Sequence, residues 1–357
     1  MKIRKIVTAV DSYKGCLSSA EANEAVRNAI ISCAPETNLQ SFTVSDGGEG
    51  WLDAFGNVSD NSETVTMQLH DPLMRLIKAK YLKNGDKAII GTAQAAGLEL
   101  IEEEQRNPMR TTSYGVGEMI AHALLNGCRQ LIVGLGGSAV SDAGIGMIKA
   151  LVKLLAPHDG KFSDIDIIKD CKVTIASDVE NPLCGQNGAA YVFGRQKGAT
   201  EDMLAALDER ARLFAEISAR HFGYDRSEGK GAGAAGGLGY AFMEYMNAKY
   251  VSGAELLLDA IGFDEAIKDA DAVITGEGHS DKQTLMGKLP CSILHRARKQ
   301  YVPVWLISGK ISDKEKLLKN GFDKALAVSP DSITTEEAMK KNVAKANIEK
   351  TVRELLS

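Results

Sequence analysis

The stretch Ala270-Asp271-Ala272-Val273-Ile274-Thr275-Gly276-Glu277-Gly278-His279-Ser280-Asp281-Lys282-Gln283-Thr284-Leu285-Met286-Gly287-Lys288-Leu289-Pro290 carries the densest chemistry in the chain. Its first part, to Ile274, is apolar and lies between Asp269 and Thr275, which reads as a buried strand. The chain then turns polar and glycine-rich, and a helical pattern follows from about Ser292 to Lys299. Strand, polar loop and helix in that order form the unit of an open α/β sheet, whose ligands bind past the carboxyl ends of the strands. Glu277 and Asp281 stand there beside Lys282 and Lys288. A plain connecting loop with helix-capping residues is the alternative, but such a loop does not need so many ionisable groups.

The same unit recurs at the start. Residues 3 to 10 read as a strand, Asp11-Ser12-Tyr13-Lys14-Gly15 as the loop after it, and Ser18-Ser19-Ala20-Glu21 as a capping box opening an amphipathic helix. Ser41 to Val44 reads as a second strand, followed by Ser45-Asp46-Gly47-Gly48-Glu49-Gly50 and a short helix from Trp51. Carboxylates among glycines suit a metal or a general base better than direct phosphate contact, because like charges repel. Val302 to Ile307 and Lys324 to Val328 are further strands, and Thr334-x-x-Glu337 caps a final helix.

Between these parts the texture changes. Alternation over Thr64–Leu69 and Leu76–Leu82, with Asn84-Gly85 before Lys87–Ile90, predicts antiparallel strands and a hairpin. Thr111 to Asn126 reads as a helix closed by Gly127, and Leu131 to Val133 as a strand. Gly134-Leu135-Gly136-Gly137-Ser138-Ala139 then leads towards a helix ending near Leu155, a phosphate-binding arrangement in principle. Val173–Ala176 and Ala189–Phe193 read as strands, and 201 to 221 as an amphipathic helix. The five glycines within Gly231–Gly239 require close backbone approach, to a ligand or to another helix.

The expected fold is α/β with two domains: a doubly wound, mostly parallel sheet domain formed by both chain ends, 1–62 and 255–357, and an inserted mixed α/β domain, 63–254. A cleft between domains is the default ligand site.

Composition narrows the function classes. The 357 residues are 44% apolar and 25% charged, ordinary for a soluble globular chain of about two domains. A net charge of −5 without a basic face argues against nucleic acid or an anionic membrane as partner. The six cysteines form no CxxC pair and the six histidines no HExxH, so no zinc site is expected, and scattered cysteines fit a cytoplasmic location. The apolar run after the basic start, Ile6–Val10, is too short for a signal peptide, and no apolar segment of 18 residues exists.

Nucleotide motifs fail one by one. Gly231-x-Gly233-x-x-Gly236 lacks a preceding strand, and the strand after Gly134-x-Gly136-x-x-Ala139, which should end in an acid about 20 residues on, ends only at Asp178, so an NAD-dependent enzyme is disfavoured. Gly287-Lys288 is followed by Leu289 and Gly309-Lys310 by Ile311, which excludes a P-loop. Gly-x-Ser-x-Gly is absent. Glycine loops, carboxylates and Lys14, Lys197 and Lys288 remain, a set that suits phosphoryl transfer: amides and cations hold phosphates, carboxylates hold Mg²⁺, and one carboxylate takes the acceptor's proton.

The ordered set Asp11–Gly15, Ser45–Gly50, Gly134–Ala139, Ser177-Asp178-Val179-Glu180-Asn181-Pro182-Leu183, Gly231–Gly239 and Thr275–Lys288 resembles the glycerate kinases of the bacterial glycerate 2-kinase type, over nearly the whole chain. The resemblance implies ATP-dependent, Mg²⁺-assisted phosphorylation of D-glycerate to 2-phosphoglycerate, with glycerate and ATP as partners and a homodimer as an open expectation. It also implies roles. Asp281 is the first candidate for the base and Asp46 the second, joined by Asp11 and Lys14. Glu277 and Glu49 would bind metal. Gly134, Gly136, Gly137, Ser138, Gly231, Gly233, Gly236 and Gly237 would hold phosphates. Arg110 or Lys288 would pair with the substrate carboxylate, and Asp142, Asp178 and Asn181 would reach the substrate from the inserted domain. Three places depart from the family pattern. Val140-Ser141-Asp142-Ala143-Gly144 stands where Thr-Asn-Asp-Gly-Gly is usual, Gly91-Thr92-Ala93 where Glu-Met-Ala is usual, and Arg195 where Pro is common. A related hydroxy acid as acceptor and a non-catalytic ligand-binding homologue therefore stay open.

Overall fold

A computed structural model describes residues 3–57, 62–330 and 332–356. The chain divides into two compact units, Met1–Val58 with Gly253–Ser357, and Ser59–Ser252.

The first unit is built on a five-stranded sheet. Its strands are β1 (Lys5–Val10), β2 (Asn38–Ser41), β9 (Ala272–Ser280), β10 (Val304–Ile311) and β11 (Lys324–Ala327), in the order β11-β10-β9-β1-β2. Every neighbouring pair is parallel. Ile6–Val10 and Val304–Ser308 are buried, as expected for parallel strands covered on both faces. Ser18 caps the helix Ser19–Cys33 through the expected capping box with Glu21. That helix and the C-terminal helix Lys341–Leu356 share one core, in which Val26 and Ile30 join Ile348 and Val352.

Three local readings change here. The second strand lies earlier than Ser41–Val44, because the Val44 amide is satisfied by the Ser19 hydroxyl at 2.9 Å and not by a neighbouring strand. Thr334 caps a short helix, Thr335–Ala338, and the long helix starts separately at Lys341. The largest difference concerns the central strands. The pattern ends them at Ile274 and Ile307, yet β9 and β10 remain paired as far as Ser280 and Ile311. Glu277 is therefore a strand residue opposite Ser308. Gly276 permits this: a Cβ there would lie 1.9 Å from the Ile307 carbonyl oxygen.

The second unit holds a six-stranded sheet in the order β3-β4-β5-β6-β7-β8. Its strands are β3 (Glu63–His70), β4 (Leu76–Asn84), β5 (Lys87–Gly91), β6 (Gln130–Gly134), β7 (Lys172–Ala176) and β8 (Lys249–Val251). The first two pairings are antiparallel, with the predicted tight hairpin between Asn84 and Lys87, and the rest are parallel. Helices Tyr114–Leu125 and Glu201–Phe222 lie where the 3.6-residue periodicity puts them. Ala189–Phe193 is a helix and not a strand; Ala189 and Ala190 are buried while Val192 is half exposed, a helical distribution too short to show in the sequence. Among the described residues no helix is long and apolar enough to cross a membrane.

Candidate active site

Within the first unit the carboxyl ends of β1 and β9 bring the ionisable groups together. The Asp11 amide donates to the Gly276 carbonyl oxygen at 2.9 Å, which ties the loop after β1 to the extended part of β9. Burial pushes the Asp11 carboxyl well above the ordinary carboxylate range, and the nearby charge of Asp46 adds to this. Glu277 acts in the same direction, while the Ser12 amide, donating to Oδ1 at 2.7 Å, and Lys14 oppose it. Asp11, Lys14, Asp46 and Glu277 thus form one electrostatic group, although Asp46 and Lys14 are themselves exposed.

Glu277 is buried and heavily engaged. Its Oε1 accepts from Ser280 Oγ at 2.9 Å and Thr284 Oγ1 at 2.6 Å, and its Oε2 faces Lys288 Nζ at 3.2 Å. Ser280 Oγ also meets Ser308 Oγ at 2.6 Å, so the hydroxyl chain crosses from β9 to β10. Lys288, expected on a substrate carboxylate, is ion-paired with Glu277. Glu277, expected on a metal, already accepts three donors. Asp281 folds into its own turn, with Oδ1 accepting from the Gln283 amide at 2.7 Å and its own amide donating to Thr284 Oγ1 at 3.1 Å. Asp46 receives the Gly48 amide on Oδ1 at 3.1 Å in a loop whose Glu49 is exposed.

In the second unit the Gly134 stretch is not a turn running straight into a helix. Gly134 ends β6 and accepts from Thr92, and the helix begins only at Ile145. The helix start is closed by Asp142, whose buried carboxylate accepts from the amides of Ser113 (2.8 Å), Gly146 (3.0 Å) and Gly144 (3.2 Å) and from Ser113 Oγ (3.0 Å). Asp142, expected at the substrate, is therefore placed as the anion at its own helix terminus. Gly137 is exposed and Gly136 half-buried, while Ser138 is buried. Lys197, wholly enclosed, donates to the Val140 carbonyl at 2.6 Å and reaches Ser138 Oγ at 3.4 Å; burial pushes its pKa down to about 8 against a small pull from Asp142. It anchors the loop from below.

The Gly231 stretch is packed tightly against protein. Cβ atoms at Gly231, Gly233, Gly236 and Gly237 would meet the Tyr250 ring at 2.4 Å, the Pro182 carbonyl at 2.3 Å, the Val140 carbonyl at 1.9 Å and Ala143 Cα at 2.6 Å. The close approach that the sequence demanded is thus made to protein at these four positions, with Gly236 and Gly237 interlocking with the Val140–Gly144 segment. Asp178 accepts from Ser252 Oγ at 2.7 Å, and the Asn181 side chain donates to the Asn187 carbonyl at 2.8 Å. Arg110 is exposed. Sequence reading missed the architectural importance of Thr284, Ser280 and Ser308, all fully buried, because hydroxyls in a polar glycine-rich run look like loop residues.

Two sheets with parallel strands, one of them carrying Asp11 and Glu277 at the carboxyl ends of its central strands, define an α/β protein of two units. The comparisons carry this to a family. The model of the glycerate kinase family matches residues 6–357. The glycerate kinase of Bacillus subtilis (strain 168) is 37% identical, covering 98% of this chain and 96% of its own length. The glycerate 2-kinase of Escherichia coli (strain K12) is 38% identical, covering 94% and 93%. A crystal structure assigned to glycerate kinase 2 of Salmonella typhimurium LT2 superposes with a TM-score of 0.79 at 35% identity, covering 99% of this chain and 97% of that one. The chain belongs to the glycerate kinase family and is a kinase, a transferase.

Proposed function

We propose that this enzyme transfers the γ-phosphoryl group of ATP to the 2-hydroxyl of D-glycerate, giving 2-phosphoglycerate and ADP. The observation that carries the reading is the group of carboxylates at the ends of β1 and β9, where burial, and after it the charges of Asp46 and Glu277, raise the proton affinity of Asp11. A carboxylate with raised affinity is a better proton acceptor near neutral pH than an ordinary one. In the transfer, the acceptor oxygen forms a bond to the γ-phosphorus, the bond to the ADP oxygen breaks, and the hydroxyl proton passes to a carboxylate. This reading moves the base from Asp281 to Asp11.

The residues fit Mg²⁺. Such an ion takes one or two carboxylates and the substrate's phosphate oxygens, and keeps several waters. Among the described residues no three His, Cys, Asp or Glu side chains already form a protein cage, so the group suits an ion that enters with the nucleotide. Asp46 would hold it, with Glu49 in the same loop. When bound it neutralises charge on the phosphate oxygens. Lys14 lies beside Asp11 to meet phosphate charge. Glu277 is held in place on β9 by Ser280, Thr284 and Lys288. On the second unit, the amides around Gly136 and Gly137 remain the candidates for phosphate contact, and Arg110 for the glycerate carboxylate.

The test is a Mg-ATP assay with D-glycerate, in which the product is read by enolase without added mutase. Direct conversion by enolase supports 2-phosphoglycerate. ADP formation that needs mutase points to the 3-position, and no ADP above background refutes glycerate as acceptor.

A further inference from the structure

We propose a second ligand site in the second unit, at the amino ends of β7 and β8, that takes a small organic anion with an aromatic or acyl body. A cavity of about 580 Å³ opens there, within the size range of small-molecule sites. Its wall is aromatic: Phe162 and Phe222 meet the Tyr245 ring edge-on, with centroids 5.2 and 5.0 Å away. Tyr245 is fixed by a 2.7 Å hydrogen bond between its hydroxyl and Ser218 Oγ. The cavity reaches Ile168 and Val173, so a ligand body would be held chiefly by apolar contact.

The lip is cationic. Lys172 is the first residue of β7 and Lys249 the first of β8, and the register Thr174↔Lys249 puts the two on neighbouring strands. Among the described residues neither ammonium has an ion-pair partner. The third lysine of the lining, Lys169, is already paired with Asp166 at 2.7 Å and is not counted. Two unpaired ammonium groups beside an aromatic wall match an anion with a flat or chain-like apolar body. A polyphosphate would leave the aromatic wall unused, and a neutral ligand would leave the lysines unused. The glycine loop Gly134–Gly144 follows the carboxyl end of β6, at the opposite end of the same sheet, so this cavity is separate from the phosphoryl-transfer residues of this unit.

The test uses the full chain and two fluorescent probes of the same shape, the anion 8-anilinonaphthalene-1-sulfonate and neutral N-phenyl-1-naphthylamine. The anion should bind saturably and stay bound in saturating ATP. Lys172→Glu with Lys249→Glu should weaken the anion roughly tenfold or more while changing the neutral probe less than about twofold. Both lysines are exposed, so the variant keeps its fold. Absence of saturable binding overturns the site. So does displacement by ATP, an unchanged affinity in the charge-reversed variant, or equal weakening of both probes.

Discussion

Asp11 and Lys197 are both titratable groups whose surroundings oppose their charge, one in each unit. For Asp11 the unfolded chain releases its proton at an ordinary carboxylate pH, but the folded chain holds it to higher pH. Between those two values the native state binds more protons, so this group's contribution to stability falls as pH rises. Asp11→Asn should therefore keep or raise the melting temperature at neutral pH while lowering kcat by roughly 10²-fold or more, the scale of a lost general base. Asp281→Asn, in a self-contained turn, should lower kcat much less. The reverse order of the two variants would return the base role to Asp281. Lys197 has the opposite sign of charge. Its proton leaves at about 8 in the folded chain, against roughly 10.4 when unfolded. Below 8 both states are protonated, and the burial penalty, about 3 kcal/mol, is present in full. From there to about 10.4 the unfolded chain binds more protons, and stability gains with pH. The stability of wild type minus that of Lys197→Met, measured by urea unfolding, should rise across this window; a flat difference would show that Lys197 does not titrate there.

Glycines determine how the central strands run and therefore where Glu277 sits. Gly276→Ala places a methyl 1.9 Å from the Ile307 carbonyl oxygen and must part β9 from β10, whereas at Gly278 the nearest atoms to a new Cβ are 3.5 Å away. Gly276→Ala should cost about 2 kcal/mol or more, a fall of roughly 4–8 °C in Tm, and Gly278→Ala little. Equal stability of the two by calorimetry would contradict the strand extension. The sequence could not show that extension, since Thr275–Ser280 is polar and glycine-rich and the pairing that makes it a strand comes from residues about 30 positions later. The Gly231 stretch was illegible for a related reason. Its density announced close approach, but its neighbours, Pro182 for Gly233 and Val140–Ala143 for Gly236 and Gly237, lie far earlier in the chain, and only the fold brings them together. What could be read was local: the capping box at Ser18, the hairpin after Asn84, the periodicity of Glu201–Phe222, and the placing of Asp11 and Asp46 after strands.

At the scale of the whole chain, the two sheets follow different rules. The first is all parallel and needs helices on both faces, while the second begins with an antiparallel meander that needs none between its strands. The change of texture near residue 62 reflects this difference. The chain re-enters the first unit at Gly253, where a Cβ would lie 2.3 Å from the Asp46 carbonyl oxygen, so the return point itself supports the acidic loop. An intact site should then report on ligands through global stability. A ligand that binds only the native state adds RT ln(1 + [L]/Kd), about 2.7 kcal/mol at a hundredfold excess over Kd. Mg-ATP should raise Tm, and EDTA should remove most of that gain if the ion enters with the nucleotide between Asp46 and the phosphates. NAD should not raise Tm. D-glycerate should add its own increment in the presence of a non-hydrolysable ATP analogue. Stabilisation by both ligands without ADP formation would indicate a binding homologue with a silent site. Stabilisation by NAD in place of ATP would contradict the kinase assignment, and ATP stabilisation unchanged by EDTA would move Mg²⁺ away from the Asp46 loop.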